Sequence, residues 1–201
     1  MNFKKTVLLG FMLSCALPGR SQKITHALFK ISGASTEIRL IELELDNKMV
    51  IGIRDGRIAY AETLSGNGLD YQAGQNWNQT NNDYGIKMAG PFPVEYYTNF
   101  DIHDPVGKIK SIGNIKFSYN NKFDIHEQFG SLKSIGDIRL TYYNAFDIHD
   151  PKGKLKSVGS VKITYFNKFD VGEDFGRIKS ITGNSSSLSV SFTDRRFMQQ
   201  D

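Results

Sequence analysis

From residue 107 onward the chain runs through one alternation of apolar and polar positions again and again. In Gly107 to Phe129 (GKIKSIGNIKFSYNNKFDIHEQF), Ile109, Ile115, Phe117, Tyr119, Phe123 and Ile125 are interleaved with Lys108, Lys110, Lys116, Ser118, Asp124 and His126. A period of two predicts half-buried strands. The pattern returns every 23 residues without an insertion. Phe100-Asp101, Phe123-Asp124, Phe146-Asp147 and Phe169-Asp170 share one phase, Gly107, Gly130, Gly153 and Gly176 a second, and Gly90, Gly113, Gly136 and Gly159 a third. An array without slippage implies units that pack on one another in a single geometry.

Turn signals divide each unit. Gly113-Asn114 returns as Gly136-Asp137 and Gly159-Ser160, the small pairs of tight hairpins. Asn120-Asn121-Lys122 is a second turn, and Asp104-Pro105-Val106-Gly107, returning as Asp150-Pro151-Lys152-Gly153, fits a type I turn. Read as three-residue loops, Asn120–Lys122 and Ile112–Asn114 gather all six apolar side chains on one face. The alternative loop length sets Lys110 opposite Phe117 and mixes the faces, so the three-residue reading is the expected one.

The fold class is therefore all-β, a tandem 23-residue β-repeat array. Two architectures use such a unit: stacked antiparallel hairpins forming an elongated sheet, or a parallel β-solenoid with one unit per coil. Lys110, Lys133, Lys156 and Lys179 are all positive, and Asp101, Asp124, Asp147 and Asp170 all negative. A solenoid stacks these like charges about 4.8 Å apart, and stacked hairpins double the distance. Stacked hairpins are expected on that ground, while three turns per unit suit the solenoid.

The rest of the chain divides by composition. Residues 22–62 form an N-terminal β segment. In it Ile41, Leu43 and Leu45 alternate with Glu42 and Glu44, and Asp55-Gly56 between apolar runs marks a hairpin. Residues 63–84, rich in Asn, Gln and Gly, read as a linker, with Trp77 pinning it to the sheet. The array spans 85–194 with irregular end units and a closing strand over Ser185 to Phe192, and 195–201 is a flexible tail.

Residues 1–21 have the form of a signal peptide: Lys4 and Lys5, an apolar run from Thr6 to Leu13, then small residues to Ser21. They imply a secreted or periplasmic bacterial protein after cleavage before Gln22. The alternative is an outer-membrane lipoprotein attached through Cys15. Cleavage removes the one cysteine, and with it any disulfide or thiol chemistry. It also takes the formal charge from +4 to +1 by removing Lys4, Lys5 and Arg20, so no nucleic-acid partner is expected.

Gly107-Lys108-Ile109-Lys110-Ser111-Ile112-Gly113 resembles the glycine-framed strand of MORN-type repeats, which share the 23-residue length; the Tyr-x-Gly-x-Trp element of that family is absent. The resemblance covers about half the chain. It implies an elongated twisted sheet with a part in membrane or protein docking.

Candidate chemistry lies in the repeated polar positions. His103, His126 and His149 follow Asp101, Asp124 and Asp147 by two residues, a pairing of borderline and hard metal ligands. Two ligands per unit fall short of the four of a structural zinc site, so no metal or other cofactor is expected. The same groups are copied along a surface rather than gathered in one pocket, which argues against an enzyme. Lys110, Lys116, Lys133, Arg139, Lys156, Lys162 and Lys179 would form basic stripes able to hold a polyanion or glycan, although lysines on open strands also serve to keep sheets apart. The expected role is an exported surface or periplasmic structural or interaction module. Its partner would be a cell-surface protein, a polysaccharide or an anionic lipid.

Overall fold

The computed structural model describes residues 22–33, 37–46, 48–64 and 85–193, which contain strands and no helix. The segment expected to be a signal peptide, Trp77 with most of the expected linker, and the expected tail lie outside the described residues. The strands are β1 (Ile24–Ser32), β2 (Ile38–Leu45), β3 (Met49–Arg54), β4 (Arg57–Thr63), β5 (Met88–Ala89), β6 (Phe92–Tyr96), β7 (Ile109–Ile112), β8 (Ile115–Tyr119), β9 (Leu132–Ile135), β10 (Ile138–Tyr142), β11 (Leu155–Val158), β12 (Val161–Tyr165), β13 (Ile178–Thr182) and β14 (Leu188–Thr193).

β5 to β13 lie side by side in chain order as one nine-stranded antiparallel sheet, so the repeats are stacked antiparallel hairpins. A second sheet has the order β14-β1-β2-β3-β4. Its one parallel pair joins β1 to β14, from Ala27 opposite Leu188 to Ser32 opposite Thr193. The strand at the end of the array thus leaves it and closes the other sheet.

Two devices set the register of each repeat. The first is a two-residue turn. Ile112 pairs with Ile115 around Gly113-Asn114, and Gly113 has φ 57°. Glycine at the first central position with positive φ is the type II′ arrangement, whose twist matches that of the strands. The second is a β-bulge at Lys110. Tyr96 pairs with Ile109 and Glu95 with Ser111, which leaves Lys110 as the extra residue. The same shift recurs at Tyr119–Leu132, Tyr142–Leu155 and Tyr165–Ile178.

The three-residue turn expected at Ile112–Asn114 is therefore corrected. The extra residue that keeps the faces sorted sits in the strand, where the bulge lets both Ile109 and Ile112 reach the core at 0% exposure. The expected hairpin at Asn120–Lys122 is also corrected. It belongs to a longer loop, and Phe123 and Ile125 stand 70% and 79% exposed instead of joining the apolar face. Strand alternation ends at Tyr119, so the period of two no longer governs where those side chains point.

The two sheets share one core. Phe29, Leu43, Leu45, Ile51 and Ile53 come from the first, and Ile109, Phe117, Ile135, Leu155 and Ile163 from the second. Burying each such side chain stabilises the fold by about 1.5–3 kcal/mol. The tyrosines Tyr96, Tyr119, Tyr142 and Tyr165 are buried in the same layer. β1 passes along the row of tight turns. Gln22 lies at Gly113, Ile24 at Gly136, and Leu188, the partner of Ala27, at Gly159. From Gln22 to Ala27 is roughly 17 Å of strand, close to the roughly 19 Å between turns four strands apart. β1 thus crosses the array strands, an orthogonal packing of sheets. At β3–β4, Asp55 and Gly56 both have positive φ (53° and 74°), the type I′ turn expected from Asp-Gly.

Candidate functional site

At the edge opposite the tight turns, four long loops connect the hairpins. Each opens and closes on a pair of backbone bonds. Tyr97 N–H donates to Lys108 O, and Gly107 N–H donates back to Tyr97 O, both at 2.8 Å. Equivalent pairs join Asn120 with Ser131 and Gly130, Tyr143 with Lys154 and Gly153, and Phe166 with Arg177 and Gly176.

Inside each loop one aspartate holds two things together. One carboxylate oxygen of Asp124 accepts the Asn121 N–H at 2.9 Å, and the other meets Lys133 Nζ at 2.7 Å. The same arrangement ties Asp101 to Thr98 and Lys110, Asp147 to Asn144 and Lys156, and Asp170 to Asn167 and Lys179. The lysine is the bulged residue of the following strand, so the bulge aims its amine at the loop. Asp101, Asp124, Asp147 and Asp170 are all held below the usual carboxylate range, chiefly by the lysine bond, with backbone N–H donors adding to it and burial opposing it.

Successive loops are also bonded to one another. Asn121 Nδ2 donates to Asp104, Asn144 Nδ2 to Glu127 and Asn167 Nδ2 to Asp150, at 3.1–3.3 Å. The His103 ring packs on Phe123 with centroids 4.5 Å apart, His126 on Phe146 at 4.9 Å, and His149 on Phe169 at 4.3 Å. The product is a rigid staircase whose steps carry a Phe and an aliphatic tip. Phe100, Phe123, Phe146, Phe169, Ile102, Ile125, Ile148 and Val171 are 66–96% exposed. Their alignment at one repeated spacing sets them apart from singly scattered surface residues.

The sequence-based candidates fall into three groups. Lys110, Lys133, Lys156 and Lys179 are occupied by the loop aspartates. Lys116, Arg139 and Lys162 stand exposed on the outer face of the nine-stranded sheet, without an ion pair among the described residues. Between these rows run hydroxyl pairs: Ser118 with Ser134, Thr141 with Ser157, and Thr164 with Ser180, at 2.6–2.7 Å. The candidate metal ligands are spread out. Asp101, Asp124 and Asp147 are engaged as above, His103, His126 and His149 stack on the next loop's Phe, and no three His, Cys, Asp or Glu converge among the described residues.

No family model matches this chain, and neither does any curated protein or solved structure compared with it.

The ridge itself was missed by sequence reasoning, which took Phe and Ile at these positions for core. A signal was present. The Phe-Asp-Ile-His segment follows an Asn-rich turn and is followed by Asp-Pro or Glu-Gln and then Gly, which is loop chemistry on both sides.

Proposed function

We propose that this chain is exported and works in the cell envelope as a structural or interaction module, and that the ridge of Phe, Ile and His on its loop edge is the surface by which it assembles with a second copy. The observation that carries this reading is the exposure of four phenylalanines at one repeated spacing. Equivalent tips lie two strands apart, about 9.6 Å. A second copy brings the same spacing, so its tips interleave with these along the full length of the ridge. At about 150–250 Å² per Phe side chain, the four exposed rings alone offer roughly 450–750 Å². With the aliphatic tips added, the ridge reaches the roughly 800 Å² per partner of a stable interface. Export is supported by the basic start and apolar run of residues 4–13.

The double variant Phe123→Ser/Phe146→Ser tests the reading, because both side chains point away from the core. Sedimentation velocity is expected to show a dimer for the unsubstituted protein and a monomer with an unchanged circular dichroism spectrum for the variant. A monomer in both cases overturns it.

A second reading, polyanion or glycan binding on the outer sheet face, has Lys116, Arg139 and Lys162 in its favour. It is the weaker one, because the other four lysines are already neutralised in place.

A further inference from the structure

Between the two sheets, on the loop side and apart from the ridge, lies a cavity of about 330 Å³. Its walls are apolar: Ile41 and Ile53 from the five-stranded sheet, Phe117 and Leu132 from the nine-stranded one. Polar residues interrupt them, Glu37, Asp55, Gln128 and Ser131 among them, and two bear on what the cavity takes, Lys108 and Tyr119. Lys108, at the end of the first long loop, is partly buried, and its amine makes no ion pair or hydrogen bond among the described residues. It lies 5.4 Å from the centre of the Tyr119 ring. Burial holds its pKa below the ordinary lysine value, with Asp55 opposing that shift and Arg57 adding to it.

Tyr119 breaks the rule of its own repeat. The hydroxyls of Tyr96, Tyr142 and Tyr165 each donate to the carbonyl ten residues earlier, Ile86, Leu132 and Leu155, at 2.8–3.0 Å. The Tyr119 hydroxyl is buried with no hydrogen-bond partner among the described residues. An unsatisfied buried hydroxyl costs about 1–3 kcal/mol. At this same repeat the β3–β4 turn docks on the array, with Ile109 N–H donating to Gly56 O at 2.8 Å.

We propose that this cavity is a binding site for a small apolar carboxylate, a medium-chain fatty acid in shape, with its chain among Ile41, Ile53, Phe117 and Leu132, its charge on Lys108 and one oxygen accepting from Tyr119. The volume suits such a molecule. At about 10–15 Å³ of such space for each water-sized group, the ten heavy atoms of octanoate need roughly 100–150 Å³, which the cavity holds with room to spare. The Tyr119 hydroxyl is closed off from water, so this hydrogen bond requires the ring to shift toward the cavity as the carboxylate arrives. Binding then satisfies the orphaned hydroxyl and the unpaired amine together. Glu37 and Asp55 also line the cavity and repel any anion, a more highly charged one more than a single carboxylate.

Isothermal titration calorimetry with octanoate on the full chain tests this, with octan-1-ol as the uncharged control. Saturable binding of one octanoate is expected, with octan-1-ol weaker. Lys108→Met, which keeps the stem and removes the charge, is expected to weaken octanoate at least tenfold, and Tyr119→Phe several-fold without loss of melting temperature. Tyr165→Phe, outside the cavity, is expected to melt lower yet bind octanoate unchanged. Absence of saturable binding, equal affinity for octan-1-ol, or unaltered octanoate affinity in folded Lys108→Met overturns the proposal. If Tyr119→Phe fails to fold, Lys108→Met decides alone.

Discussion

Replacing Asp124 by Asn and by Ala separates the two jobs that the loop aspartate performs. Its carboxylate closes the loop by accepting the Asn121 N–H at 2.9 Å and pairs with Lys133 at 2.7 Å. Asparagine keeps an acceptor for the backbone bond and loses the charge, and alanine loses both. The ion pair involves a lysine side chain that is 48% exposed, so its loss costs only about 0.2–1 kcal/mol. Losing a side-chain acceptor on a backbone N–H that starts a turn costs about as much as losing a helix cap, roughly 1 kcal/mol. Asp124→Asn should therefore cost about 0.2–1 kcal/mol, and Asp124→Ala about 1–2 kcal/mol in all. At about 2–4 °C per kcal/mol for a chain of this size, the alanine variant should melt a few degrees below the asparagine variant. Urea unfolding gives the free energies, and repeating both substitutions in a Lys133→Met background completes a double-mutant cycle. In that background the cost of Asn should vanish while that of Ala remains. Equal costs for Asn and Ala, or a cost of Asn that survives the loss of Lys133, refutes this division of labour.

Gly136→Val should lower the melting temperature far more than Lys133→Ala. Gly136 has φ 52° at the first position of its turn, where a β-branched residue stores about 1–3 kcal/mol of strain, whereas Lys133 contributes one exposed pair; equal melting temperatures count against the turn assignment. Stability should also fall modestly in acid. The four loop aspartates have folded pKa values below the ordinary 3.8, so what they contribute is fully present above that value and is lost as pH drops through their folded values. Melting curves from pH 7 to pH 2 should show this acid limb, and Asp124→Asn combined with Asp147→Asn should flatten it; an unchanged limb refutes the assignment.

What was legible in the sequence is what depends on local chemistry. Gly-Asn, Gly-Asp and Gly-Ser mark tight turns because glycine supplies the positive φ, and Asp55-Gly56 marks its hairpin in the same way. The choice of stacked hairpins followed from like charges that a solenoid would have stacked. The bulge was less visible, because counting by twos assumes one residue per pleat. Its cue was the spacing of three between Ile109 and Ile112, both apolar, which no regular strand can bury together. Phe123 was misplaced for a related reason: residue type says that a side chain is apolar, whereas only the end of the strand at Tyr119 says that it no longer points inward. The pairing of β1 with β14 joins Ala27 to Leu188 across most of the chain, and no local pattern announces so distant a partner. The cavity beside Tyr119 has the same character, since its tyrosine looks like the other three until the docking of the β3–β4 turn sets it apart.

The ridge is not a by-product of the loop's architecture. Every bond that shapes the loop is made by other groups. The aspartate accepts from the backbone and the lysine, Asn Oδ1 accepts the N–H of Phe123, Phe146 and Phe169 at 3.0 Å, and glycine closes the end. These bonds use the main chain of the phenylalanine and would be made equally well by serine. Its side chain adds a contact to the preceding histidine ring, and Phe100, with no histidine before it in the array, is 95% exposed. The core has its own aromatic residues in Phe117 and the tyrosine row, so it has no need of these. Water-exposed rings at four equal steps raise the risk of nonspecific association while the fold gains little from them. That cost is recovered when a matching surface covers the rings, which is why the interaction reading rests on this edge rather than on the lysine face.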